Sequence, residues 1–198
     1  MQGIADASIR IRRISPNDGL HYFYGYYDNQ AFSADGKKHL CCRTDFFDRI
    51  PGRDDICTLG VFDIATGDWH EFAQTGAFNF QQGSMLQWNP LFPESEVIYN
   101  IREGDEYRAV VRNLAADTVR TLPRPVINIS PDGRWGLSAN MSRIYDFRPG
   151  YGYSGTRDSC FDIPQPENDG LFLLDMETGN EKLILNYKNM APLLGADP

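Results

Sequence analysis

The chain has 198 residues, 41% hydrophobic and 23% charged, enough for one or two ordinary domains and too apolar for a disordered chain. A formal net charge of −8 argues against a nucleic-acid phosphate backbone as partner, although local basic positions can persist in an acidic protein. No run approaches the ~18 apolar residues of a membrane span. The first 30 residues lack a basic-then-apolar signal pattern. A cytoplasmic protein with no membrane partner is therefore expected.

With 13% aromatic residues and 18 glycines, the composition favours strands and tight turns over helices. Only Tyr187–Leu194 has the pattern of a helical turn or two, and Pro192 interrupts it. Residues 1–8 read as a loose end. Residues 9–14 (Ile-Arg-Ile-Arg-Arg-Ile) alternate like a strand with one wet face, and Ser15–Gly19 reads as a turn. His21–Asp28 is the densest aromatic cluster, with Gly25 allowing close backbone approach.

Three related units follow. Ala31–Gly36, His39–Arg43, Leu59–Asp63 and Trp69–Phe72 form the first, with a turn at Ala65–Asp68. Leu86–Pro90, Val97–Ile101, Arg108–Asn113 and Val119–Leu122 form the second. Asn128–Ile129, Trp135–Ala139, Gly170–Asp175 and Lys182–Leu185 form the third. Ser33, Asn89 and Ser130 mark equivalent points. A unit of roughly 40–50 residues built from four short strands is the mark of a propeller blade. The expected fold is all-β: a partial β-propeller in a single domain, 1–198, of three four-stranded blades (21–75, 80–124 and 126–187). The strand at 9–14 would close the ring, and 188–198 would lead into a missing blade. A chain that is half of a longer one, a ring completed by oligomerisation, and an open three-sheet stack all remain compatible. Unsatisfied blade faces would promote self-association.

Cys41, Cys42, Cys57 and Cys160 read as buried free thiols, because neighbours on a strand point to opposite faces. A bridge from Cys57 to Cys41 or Cys42 is the alternative. His21, His39 and His70 are the only histidines, so neither a metal site nor another cofactor is expected. No nucleophile elbow, phosphate loop or dinucleotide fingerprint is present.

Two insertions, Thr44–Asp55 and Ile144–Asn168, each separate the second and third strands of a blade. Both carry Asp, Phe, Arg and Pro-Gly in the same order. Strand alternation puts them on the same rim as the His21–Asp28 and Gly76–Gly83 segments, and long loops on a rigid scaffold are where binding concentrates. This rim offers Arg43, Arg49, Arg53, Arg102, Arg148 and Arg157, with Tyr22, Tyr24, Tyr145, Tyr151 and Tyr153 and the amides of Asn79, Gln81 and Gln82. Guanidinium forks hold carboxylates and sulfates, aromatic faces stack on sugar rings, and amides pair with hydroxyls. The mixture suits an acidic oligo- or polysaccharide, and it also suits a peptide. Tyr24, Arg49, Arg53, Asn79, Gln81, Gln82, Arg102 and Tyr153 are the expected binding residues.

The stretches HYFYGYYDNQAFSADGKKHL, DFFDRIPGRDD, FNFQQGSMLQWNP, ISPDGRWGLSANMSRIYDFRPGYGY and NDGLFLLDMETG span about residues 10–190. They resemble a largely uncharacterised family of bacterial propeller proteins near the oligogalacturonate-lyase and ulvan-lyase type polysaccharide lyases. The family's longer chains imply that this is the N-terminal part of a seven- or eight-bladed propeller. The resemblance also implies β-elimination beside a uronate carboxylate, with a cation to neutralise that carboxylate, a base for the C5 proton and an acid for the leaving oxygen. It implies His21 as acid or base, Tyr145 or Tyr151 as its partner and Arg148 as neutraliser. A non-catalytic propeller that binds a peptide, protein or small ligand at the same rim is the alternative.

Overall fold

The computed structural model describes residues 11–193 and residue 195. Blade one comprises β1 (His21–Phe23), β2 (Lys38–Thr44), β3 (Cys57–Asp63) and β4 (Trp69–Thr75). Blade two comprises β5 (Gln87–Trp88), β6 (Glu96–Glu103), β7 (Glu106–Asn113) and β8 (Thr118–Leu122). Blade three comprises β9 (Asn128–Ile129), β10 (Trp135–Ser138), β11 (Gly170–Asp175) and β12 (Glu181–Asn186). Each blade is an antiparallel four-stranded sheet with its strands in sequence order, and the three make a partial β-propeller. The closing strand expected over 9–14 falls partly outside the described residues. Residues 11–14 join no sheet, and Arg12 instead donates from its guanidinium to the Ile64 carbonyl.

Two-residue alternation packs the middle blade on both sides. On blade two, Val97, Tyr99 and Val110 face blade one and meet Leu40, Cys42, Leu59 and Val61. Ile98, Ala109 and Val111 face the other way and meet Leu174 and Met176 of blade three. Each fully buried aliphatic side chain stabilises the stack by about 1.5–3 kcal/mol. Asn100, fully buried on β6, satisfies its amide by donating to Val126 O (3.0 Å) and Tyr153 Oη (2.9 Å) and accepting from Val126 N (2.8 Å).

Turn chemistry fixes the register. Ser33 donates to Asp35 (2.7 Å) and Ser130 to Asp132 (2.5 Å), and Gly36 and Gly133 both sit at φ 69°. The Ser33 hydroxyl, followed by the Lys37 backbone N–H, holds Asp35 down to about 2 against an ordinary 3.8. Asp132 is lowered first by Ser130 and then by Arg134 N–H. A carboxyl depressed in the folded state contributes stability above its unfolded pKa and loses it as pH falls through the folded value. The melting temperature should therefore hold above pH 3.8 and fall between 3.8 and about 2. An Asp35→Asn, Asp132→Asn double variant should fall less steeply in that window. Parallel curves for variant and parent would show that these turns carry no pH dependence.

One element differs from expectation, and one forms where it was expected. The second insertion opens with a helix, α1 (Met141–Phe147), where a loop was expected; the Asn140 side chain caps it by accepting from Arg143 N (2.9 Å). The helical turns expected at Tyr187–Leu194 form as α2 (Tyr187–Leu193), which runs through Pro192 instead of being interrupted by it. All four cysteines are buried free thiols. No helix among the described residues is long and apolar enough to cross a membrane.

Candidate functional site at the blade rim

Gln82 joins three segments of the rim. The chain after β1 passes so close that a Cβ on Gly25 would lie 2.5 Å from the Gln82 carbonyl oxygen. The Gln82 side-chain oxygen accepts from Gly152 N (2.9 Å), bringing in the second insertion. Asn79 shapes the link by accepting from Gln81 N (2.9 Å) and Gln82 N (2.6 Å), and its amide donates to Gly152 O (2.7 Å).

The two insertions are tied to each other. Arg53 pairs with Asp105 (2.7 Å) and donates to Gly155 O (2.5 Å), and Ser154 Oγ donates to Pro51 O (2.5 Å). Gly155 N donates to Tyr107 Oη (2.8 Å), which donates to Tyr153 O (3.2 Å). Arg102 donates to Gly155 O (3.3 Å). The four segments expected on one rim do meet there.

Their meeting consumes most of the expected binding residues. Tyr153 is fully buried, its hydroxyl bonded to Asn100 and pushed up by burial. Tyr24 turns inward, bonded to Leu86 O (3.0 Å) and likewise pushed up by burial. Asn79 is buried in the turn. Arg49 closes on Asp55 (2.5 and 2.8 Å) and on the Phe46 ring (4.0 Å). Arg53, Arg102 and Gln82 hold backbone in place, and Gln81 alone of the link amides is exposed. Gln81 apart, these residues are engaged by partners within the protein.

The second insertion is held from beneath by a buried network. Arg143 pairs with Asp158 (2.7 Å), donates to Cys160 O (3.2 Å), Ile163 O (3.3 Å) and Pro164 O (2.8 Å), and lies between the Phe147 and Tyr187 rings (4.9 and 4.7 Å). Asn140 donates to both Asp158 (2.9 Å) and Asp169 (2.7 Å). Sequence reasoning missed this network, in which the hydrogen-bond partners of Arg143 lie up to 21 residues away in the chain and the Tyr187 ring farther still.

What stays free clusters around Arg148, the residue that ends α1. Its guanidinium rests 4.0 Å from the Tyr151 ring centroid, and no carboxylate lies at ion-pair distance among the described residues. Tyr26 and Tyr27 lie with their ring centroids 4.6 Å apart; Tyr27 is exposed and Tyr26 half-buried. The Tyr27 hydroxyl bond raises the Tyr26 pKa, while the Arg148 charge acts on the same hydroxyl in the opposite sense. The aromatic density of 21–28 is legible in the sequence, but which of its rings reach solvent is not. Of the residues given catalytic roles, His21 is exposed and stacks on Phe47 (5.8 Å), Tyr145 is half-buried on α1, and Tyr151 lies under Arg148.

A groove of about 730 Å³ lies between blades two and three beside the second insertion, lined by Arg124, Asn140, Arg157, Asp169 and Glu181. Arg124 is taken by Glu181 (2.7 Å) and Asp169 by Asn140, so its polar groups are largely answered within the protein. No cluster of His, Cys, Asp or Glu among the described residues could hold a metal ion.

No family model matches the sequence, and no curated protein matches it. Among solved structures, one assigned as TolB from Agrobacterium tumefaciens shares 17% identity at a TM-score of 0.46 and covers 87% of this chain and 51% of that one. TolB from Acinetobacter baumannii shares 13% identity at a TM-score of 0.43, covering 84% and 44%. The chain spans about half the length of these structures. Neither likeness extends to chemistry.

Proposed function

We propose that the rim binds acidic, uronate-containing saccharides, with Arg148 gripping the carboxylate and the Tyr151, Tyr26 and Tyr27 rings receiving sugar faces. The observation that carries this reading is the state of Arg148. Arg43, Arg49 and Arg53 are engaged by Glu71, Asp55 and Asp105, whereas Arg148 presents its fork from an aromatic platform with no carboxylate partner among the described residues. A guanidinium in that state suits a ligand carboxylate held by two parallel hydrogen bonds. The resemblance to polysaccharide lyases supports the same ligand class. It also implies elimination, with His21 and Tyr145 or Tyr151 as acid and base. The proposal stops at binding, because His21 is stacked on Phe47 in the first insertion.

The test is calorimetric titration with trigalacturonate. A charge-assisted hydrogen bond contributes about 1.5–3 kcal/mol, so Arg148→Ala should weaken binding roughly 10- to 100-fold. Arg148 is exposed, and the melting temperature should stay unchanged. Tyr151→Ala should weaken binding by a smaller factor. Unchanged affinity in Arg148→Ala would remove the site. Unsaturated product in the same mixture would extend the reading from binding to lysis.

A further inference from the structure

We propose that the rim holds a polyuronate chain at two clamps, with Arg157 taking a second carboxylate beyond the one at Arg148. This rests on the acidic-saccharide reading of the rim and extends it from a single gripped uronate to a chain.

The second insertion carries both arginines. It leaves α1 at Phe147 and Arg148, passes Gly152 and returns to Phe161. Backbone donors fix the return: Asp158 N donates to the Asp146 carboxylate (2.8 Å), and Phe161 N donates to Asp158 O (3.2 Å). The Asp158 side chain is anchored in turn by Arg143 (2.7 Å). Phe161 is thereby laid on Phe147, with ring centroids 5.4 Å apart and planes 16° from parallel. Arg157 directly precedes the anchored Asp158 and rests its guanidinium 4.3 Å from the Phe161 centroid. The contacts run in series from buried Arg143 through Phe147 (4.9 Å) and Phe161 to exposed Arg157.

Arg157 therefore repeats the state of Arg148: each guanidinium is exposed and lies over an aromatic ring. The one carboxylate within ion-pair reach of Arg157 among the described residues is Asp162, at 4.0 Å, with side-chain exposures of 68% and 91%. An ion pair so long and so exposed contributes little, so a ligand carboxylate displaces Asp162 at small cost. Arg43, Arg49 and Arg53, by contrast, are closed on carboxylates at 2.9, 2.5 and 2.7 Å. Phe147 is 59% exposed, adjoins Arg148 in the chain and Phe161 in space, and so gives the two clamps a shared apolar floor. An apolar strip with a cation at each end fits a chain that carries a carboxylate on every sugar. Once one carboxylate is held, the second contact is intramolecular, and affinity rises through effective concentration.

Calorimetric titration with trigalacturonate and with hexagalacturonate reads the two clamps. The hexamer should bind the parent at least about tenfold tighter than the trimer, more than the roughly fourfold gain that its extra registers supply. In Arg157→Ala that advantage should disappear: the hexamer loses about tenfold, and the trimer, seated at Arg148, keeps its affinity. Arg157 is exposed, so the melting temperature should not move. Arg148→Ala should weaken both ligands. Arg120→Ala removes an exposed arginine on the outer strand β8, and as a control for net charge it should weaken neither. A hexamer no tighter than its registers allow, an unchanged hexamer affinity in Arg157→Ala, equal losses for trimer and hexamer, or an equal loss in Arg120→Ala would each overturn the second clamp while leaving Arg148 its role. A parent that binds neither ligand would overturn both readings.

Discussion

Replacing Arg143 with alanine is expected to cost about 3–5 kcal/mol and to release the second insertion from the rim. Both members of the pair are buried, with side-chain exposures of 8% for Arg143 and 0% for Asp158. Removing the guanidinium leaves Asp158 with only neutral donors, the Asn140 amide and Cys160 N. It also strips donors from the carbonyls of Cys160, Ile163 and Pro164. Urea unfolding measures the loss, and limited proteolysis between residues 144 and 168 locates it. Arg143→Lys should recover only part of the stability, because a point charge replaces neither the fork nor the stacking between Phe147 and Tyr187. A loss under about 1 kcal/mol in the alanine variant would mean that the insertion is held by something else.

Gly152→Ala is the second large effect. Gly152 sits at φ 64°, and a Cβ there would lie 2.2 Å from Met141 O and 2.6 Å from Tyr145 N. Both neighbours are backbone of α1 and its N-terminal turn, so relief requires the insertion to shift. The strained φ and the overpacking together should cost about 3 kcal/mol. Gly152 also exchanges hydrogen bonds with Asn79 and Gln82, and Tyr151 precedes it, so the shift should displace the Arg148 platform as well. Saccharide affinity should fall together with stability, in contrast to Arg148→Ala, where affinity falls alone. Retained stability in Gly152→Ala would contradict the close packing of this segment.

The blades were legible because their determinants are local. Alternation along β6 and β7 assigns each side chain to one neighbour or the other, and Ser-x-Asp-Gly at Ser33 and Ser130 writes its turn into four residues. The rim was legible as a place, since strand direction alone puts the insertions, the link and the aromatic cluster together. Its division into support and surface was not. Whether a Tyr or Arg reaches solvent depends on partners far away in the chain: Tyr153 is fixed by Asn100, Arg53 by Asp105 and Gly155, and Tyr24 by Leu86. Helix α1 escaped detection because its seven residues are too short to show a period, although Asn140 followed by Met141 and Ser142 is a capping signal.

Titration of the unmodified protein with trigalacturonate and, in parallel, with a neutral trisaccharide of galactose having the same linkage tests the central claim most directly. The two ligands differ in their carboxylates and present similar sugar faces to Tyr151, Tyr26 and Tyr27. Binding of the uronate with loss of at least tenfold affinity for the neutral sugar is the result expected from Arg148 as carboxylate clamp. Equal affinity for both, or no binding of either by the folded protein, would contradict the assignment of this rim to acidic saccharides.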